Sequence, residues 1–145
     1  MGRTVPGMSA AENKKLLADV FEQMSAGNTN AFRDAMSDDF RWVFPGNWSW
    51  SGVWEPKQVV LEQLTGPLMA QFASYRSEAS EILVDGDRVV VLARSTATTK
   101  RGDAYDQHYC FVFAVSGGKL TEVVEYCDSS LVERVLDPPA RVPIA

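Results

Sequence analysis

The run His108-Tyr109-Cys110-Phe111-Val112-Phe113-Ala114-Val115-Ser116-Gly117-Gly118-Lys119-Leu120-Thr121-Glu122-Val123-Val124-Glu125-Tyr126-Cys127 decides the fold. Two strings of β-branched and aromatic residues flank Ser116-Gly117-Gly118, the pattern of two strands joined by a tight turn. Moving towards the N-terminus, Arg101-Gly102 and Asp85-Gly86 are further turn signals, because glycine accepts positive φ without a steric penalty. These turns divide the second half of the chain into four predicted strands, at about 75–85, 88–99, 105–115 and 119–127.

Helical periodicity comes before them. Leu16, Leu17, Val20, Phe21 and Met24 recur at helical spacing over 9–26, Ser9 and Glu12 supply a capping box, and Gly27 supplies a stop. Asn28 is placed to cap a short second helix that buries Phe32, Ala35 and Met36. An aromatic strand, 40–44, ends at Pro45-Gly46 and opens into a loop, 47–52, that carries the exposed-looking Trp48 and Trp50. A third helix is predicted over about 56–72, with Val60, Leu61, Leu64 and Leu68 on its buried side and Pro67 ending or kinking it. Asp128 or Ser130 caps a last helix, Glu133 completing a box from Ser130. Helices first and an antiparallel meander after them make an α+β pattern. The expected organisation is one domain over 9–136, between a flexible N-terminal tail (1–8) and an extended C-terminal tail (137–145).

Composition narrows the function. A chain of 145 residues, 46% hydrophobic and 23% charged, suits one globular domain with its own core. A net charge of -5 with scattered Lys and Arg argues against nucleic acid, which needs a basic stripe. No apolar run approaches the ~18 residues of a membrane span, and the start lacks an apolar secretory segment. Cys110 and Cys127 lie inside predicted strands, so a reduced, cytoplasmic protein is expected. One histidine and two unmatched cysteines offer no metal spacing, and neither a phosphate loop nor a serine elbow is present, so no metal or cofactor is expected.

The turns also predict a register. A two-residue turn at Arg101-Gly102 sets Arg94 opposite Tyr109, and a three-residue turn at 116–118 sets Tyr109 opposite Glu125. Three rows then share one face: Leu92–Phe111–Val123, Arg94–Tyr109–Glu125 and Thr96–Gln107–Cys127. His108 and Tyr126 fall on the other. A one-residue slip in either turn exchanges the sets on one strand.

Three local features carry a resemblance. They are Ser25-Ala26-Gly27-Asn28 leading to Phe32; Ser37-Asp38-Asp39-Phe40 leading to Phe44-Pro45-Gly46; and Phe111-Val112-Phe113 through Gly118-Lys119-Leu120 to Glu125-Tyr126-Cys127-Asp128. In this order and spacing, 9–136 resembles the NTF2-like superfamily, in particular its SnoaL-like and ketosteroid-isomerase-like members. The resemblance implies a cystatin-like cone, a curved antiparallel sheet wrapped around N-terminal helices and enclosing a pocket. It also implies a homodimer through the outer sheet face and a small apolar ligand. The fold hosts isomerases, cyclases, hydrolases and non-catalytic binders, so it does not fix the chemistry.

By that resemblance the Arg94–Tyr109–Glu125 face lines the pocket. The expected site has Glu125 as acid or base tuned by Arg94, with Tyr109 as a hydrogen-bond donor. Trp42, Phe44, Leu64, Leu92, Thr96, Gln107, Phe111 and Cys127 are expected to contact ligand. Opposed to this is a structural Arg94–Glu125 pair in a non-catalytic binding or assembly domain. The isomerases' general-base position is Phe44 here, and their oxyanion tyrosine on the first helix falls near Val20, so their mechanism is not retained. Of the epoxide hydrolases' carboxylates only the last has a counterpart, Glu125. SnoaL-type cyclases use a histidine, but the predicted register turns His108 away from the pocket. Trp48 and Trp50 are expected to cover the pocket mouth, to form a partner surface, or to pack locally against the third helix.

Overall fold

The computed structural model describes residues 8–141, so the outer parts of both expected tails, 1–7 and 142–145, lie outside the described residues. Helix α1 (Ala10–Ser25) forms as its capping box directs: Ser9 Oγ accepts from the Glu12 N–H, and Glu12 accepts from the Ser9 N–H. Its buried face is Leu17, Val20 and Phe21, joined by Asn13, whose Nδ2 donates to the Gly86 carbonyl at 3.0 Å. Helix α2 (Asn30–Ala35) follows. Thr29, not Asn28, holds its N-cap position, and the Asn28 side chain donates to Gln23 instead. Strand β1 (Met36–Phe44) begins four residues earlier than the sequence suggested. Part of the expected loop joins a short strand, β2 (Gly52–Trp54), which pairs with β1 at Trp42–Trp54 and Val43–Val53.

The third helix is composite. A turn of α-helix, α3 (Lys57–Val59), runs into a π-helical segment (Val60–Thr65) and then α4 (Gly66–Met69). Pro67 sits in the first turn of α4, where no N–H is required of it. The wider π turn brings the Gly66 N–H to the Leu61 carbonyl, and a Cβ on Gly66 would lie 2.6 Å from that oxygen. Only glycine fits there, and the proline changes the winding of the helix without ending it.

Four long strands follow: β3 (Phe72–Asp85), β4 (Arg88–Thr99), β5 (His108–Ser116) and β6 (Lys119–Cys127). With β1 and β2 they form one curved, unclosed sheet in the order β2-β1-β6-β5-β4-β3. All pairs are antiparallel except β1 with β6, which is parallel. Helix α5 (Ser129–Val135) is the last element among the described residues, capped by Asp128, which accepts from the Leu131 N–H. The alternative cap at Ser130 is not used, because Glu133 accepts from the N–H and hydroxyl of Ser49.

The two turns that set the register exchange the roles expected of them. At the β4–β5 turn, Gly102 at φ 93° is the left-handed third residue of a loop closed by Thr99 N–H to Asp103 carbonyl at 2.8 Å. Thr99 Oγ1 also accepts from the Asp103 N–H. At the β5–β6 turn, Gly117 and Gly118 both have positive φ, 57° and 76°, which makes a two-residue turn between Ser116 and Lys119. The first difference moves β4 by one residue, so Ala93 faces Tyr109 and Arg94 faces His108. The second would also have inverted a strand, but a bulge at Thr121 on β6 restores parity. Phe111 therefore pairs with Glu125, and Tyr109 with Cys127.

The inner face of the sheet meets α1 and α2 through a dense aromatic cluster. Phe32 stacks on Trp42 at 5.2 Å, and Phe21 and Phe32 both meet Phe113. Each such ring, fully buried, contributes about 1.5–3 kcal/mol.

Candidate functional site

Along β5, Tyr105, Gln107, Tyr109, Phe111 and Phe113 are buried at every second position, from just before the strand to its middle. The facing residues of β4 are small: Ala97, Ser95 and Ala93. That absence of bulk leaves room in front of β4 and lets tyrosines from the strands on either side of it meet. Tyr75 on β3 and Tyr109 on β5 join hydroxyl to hydroxyl at 3.0 Å. Tyr109 also stacks on Phe111, with centroids 4.8 Å apart.

A cavity of about 360 Å³ lies in front of these residues. Ten of its 23 lining residues are aromatic, so its walls suit a flat apolar body. Trp42, Phe44, Trp48 and Trp50 form one wall. Phe72, Tyr75, Tyr105, Tyr109 and Phe111 form another, and Leu61, Leu68, Val132 and Leu136 complete the enclosure. The exposed positions on the lining are Asn30, Arg33 and Gly66, which places the mouth between α2 and the start of α4.

Among the described residues Glu125 supplies the only carboxyl on this surface and is 7% exposed. No cation pairs with it among the described residues. Burial therefore pushes its pKa up from 4.5 to about 8, partly opposed by the nearby Cys127 thiol and Trp42 indole. The Trp42 N–H is close enough to favour the anion, yet it makes no hydrogen bond of normal geometry and stays unpartnered. Around neutral pH Glu125 is a protonated acid. Burial likewise raises Tyr75 to about 12 and holds Tyr105 and Tyr109 well above the ordinary phenol range, so all three are neutral donors.

Trp42, Phe44, Tyr109, Phe111 and Glu125 thus come together on the cavity as the sequence suggested. Other expected members stand elsewhere. Arg94 and Thr96 are exposed on the outer face and Leu92 is half-buried there, because the three-residue β4–β5 loop turns β4 over. The Arg94–Glu125 pair does not exist. Leu64 is fully buried behind the wall, with Leu61 and Leu68 lining instead. Gln107 is also fully buried but brackets the Asp128 backbone, Nε2 to its carbonyl at 3.0 Å and its N–H to Oε1 at 2.9 Å. Cys127 adjoins Glu125 but does not line the cavity, and burial raises its thiol pKa, which removes it as a nucleophile. His108 is exposed on the outer face. Trp50 is buried, and Trp48, half-buried, donates its indole N–H to the Pro45 carbonyl at 2.9 Å. Both tryptophans are wall residues.

Sequence reasoning missed Tyr75 and Tyr105. Tyr105 was accessible from the alternation that runs through Gln107 and Tyr109. Tyr75 depends on the register of β3 against β4. Among the described residues no group of three or more His, Cys, Asp or Glu could hold a metal ion, and no helix is long and apolar enough to cross a membrane.

The sequence model of the SnoaL-like domain matches residues 17–123. No curated protein matches the chain. Among solved structures, an NTF2-like protein from Burkholderia xenovorans is 23% identical with a TM-score of 0.68, covering 90% of this chain and 100% of that one. A putative SnoaL-like polyketide cyclase from Jannaschia is 20% identical with a TM-score of 0.72, covering 97% and 99%. AclR, a putative hydroxylase from Streptomyces galilaeus, is 18% identical with a TM-score of 0.70, covering 88% and 97%. These likenesses establish the NTF2-like fold, and with 17–123 matched the chain belongs to the SnoaL-like domain family.

Proposed function

We propose that this protein binds a small apolar cyclic, polyketide-like molecule in the cavity and transforms it by cofactor-independent acid–base chemistry of the isomerase, cyclase or hydrolase type. One observation carries the reading: a buried carboxyl without an ion-pair partner faces an aromatic cavity beside two hydrogen-bonded tyrosines. Protonated Glu125 can deliver its proton to a carbonyl oxygen. The carboxylate left behind can take a proton from a neighbouring carbon, so one residue serves both halves of a tautomerisation. In the Tyr75–Tyr109 pair one hydroxyl donates to the other, and the accepting hydroxyl keeps its own proton to donate to an oxygen of the substrate. Trp42, Phe44 and Phe111 hold the ring system. The putative SnoaL-like polyketide cyclase among the structural relatives supports this direction.

The test begins with thermal shifts of the wild type against cyclic ketones, lactones, epoxides and polyketide-like aromatics. A ligand at a hundred times its Kd should stabilise by about 2.7 kcal/mol. For any compound that turns over, Glu125→Gln is expected to lower kcat by roughly 100-fold or more while binding persists. Undiminished turnover in that variant would refute the assignment.

A second reading, a non-catalytic binding or assembly domain, is favoured at one position: Phe44 stands on the cavity where the isomerases keep a base. In either reading we place the protein in the cytoplasm as a homodimer. Cys110 and Cys127 are both free and fall on opposite faces of the sheet, which suits a reducing compartment. The dimer is motivated by an apolar row across the outer face, argued below.

A further inference from the structure

The charge on the cavity surface is uneven. Among the described residues its lining holds two side chains of ordinary acid or base character, Glu125 and Arg33. Glu125 is deep and protonated near neutrality, whereas the Arg33 side chain is 47% exposed, at the mouth. The cavity of an acidic chain (net charge -5) therefore presents a single formal charge, and it is positive. Arg33 Nε pairs with Asp34 Oδ1 at 3.2 Å, and neither Nη atom makes a hydrogen bond or ion pair to another described residue. Asp34 itself is not on the lining. Beside Arg33, the Thr29 hydroxyl makes no capping bond and the Asn30 amide has no partner among the described residues, so the rim carries further unused donors. Thr65, at the end of the π segment, and Gly66, which opens α4, are also on the lining.

A ligand long enough to reach from the aromatic walls to the mouth ends at this rim. We propose that Arg33, with Thr29 and Asn30, is an anion-recognition subsite, and that the ligand is an aromatic acid: a flat ring system with a neutral oxygen acceptor at its buried end and one carboxylate or comparable anionic oxygen at its outer end. This rests on the reading of the cavity as an aromatic-ligand site. The two free Nη groups suit a carboxylate, which a planar guanidinium can engage through two donors at once. The acceptor at the inner end meets neutral donors only, so the two ends of the ligand are distinguished and the molecule enters in one orientation.

The test uses anthraquinone-2-carboxylate and its methyl ester, which share a ring system and acceptors and differ in charge at one end. Affinities of the wild type, Arg33→Met and Arg33→Lys are measured by quenching of tryptophan fluorescence at low and high salt. The carboxylate is expected to bind the wild type roughly fivefold or more tighter than the ester. That preference should vanish in Arg33→Met, survive in part in Arg33→Lys, and shrink as salt is raised. Arg33 is a partly exposed residue, and an unchanged urea-unfolding midpoint without ligand in all three proteins serves as the folding control. Equal wild-type affinities for acid and ester, or a preference that survives in Arg33→Met, would overturn this proposal and leave the cavity reading standing. Failure of both probes to bind the wild type would overturn the two together.

Discussion

Glu125 is buried on a strand facing an aromatic cavity, and among the described residues no cation pairs with it. Its folded-state pKa of about 8 lies above the 4.5 of the free group. Between those values the folded state binds a proton that the unfolded state has lost, so stability falls as pH rises through that window. Below pH 4.5 both states are protonated and there is no penalty; above about 8 the full cost of a buried anion applies. At about 1.4 kcal/mol per pH unit, the interval from 4.5 to about 8 bounds that cost at about 5 kcal/mol. Glu125→Gln should flatten this dependence, matching the wild type in urea melts at pH 4.5 and exceeding it at pH 8.5. A wild type equally stable at both pH values, relative to the variant, would show that the carboxyl has a counter-charge or water access. Trp42→Phe works on the same group in the opposite sense. The indole N–H favours the anion, so its loss should move the midpoint of the Glu125 titration, read by carboxyl NMR, to higher pH.

At the scale of elements, legibility followed the range of the forces involved. The capping box of α1 and the alternation along β5 are local, and both could be read directly. The turns were harder. Gly117-Gly118 and Arg101-Gly102 each allow two loop lengths, and the choice depends on contacts outside the glycines: the Thr99 hydroxyl that accepts from Asp103, and the bulge at Thr121. One residue of difference at Gly102 took Arg94, Leu92 and Thr96 off the cavity, and with them the expected tuning pair. The β5–β6 pair kept its facing set only because turn and bulge compensate. The third helix was legible as a helix but not as a π turn, which is why Leu61 lines the cavity in place of Leu64. That turn depends on Gly66. Gly66→Ala brings a Cβ to 2.6 Å from the Leu61 carbonyl, and is expected to cost about 1–3 kcal/mol in urea unfolding as the wall rewinds. If the variant is as stable as the wild type, the π turn is not held by this contact.

Across the whole molecule the sheet has two dissimilar faces, and both follow from the same alternation. The inner face builds the cavity. The outer face carries one row that crosses every strand: Leu83, Val90, Val112, Val124, Val43 and Val53, each paired with the next. At ~4.8 Å per strand it runs ~24 Å, about the width of a standard interface patch. Leu83 and Val53 at its ends are 51% and 43% exposed, and Tyr126 in the adjoining row is 53% exposed. Charged and polar side chains flank the apolar rows on both sides: the Arg41–Glu122 ion pair at 3.2 Å on one, and Glu78 and Arg94 with the imidazole of His108 on the other. An apolar centre with a charged rim is the anatomy of a protein interface, and a row that is similar read from either end suits a two-fold contact. Arg94, the residue expected in the catalytic pocket, belongs by position to this rim. Val112→Glu places a carboxylate at the middle of the row, where a partner would have to bury it unpaired at a cost of several kcal/mol. Sedimentation velocity should therefore find the wild type dimeric at micromolar concentration and the variant monomeric, with the cavity's ligand binding retained. A monomeric wild type would leave the row without a partner of its own kind, and a variant that still dimerises would move the contact to another surface.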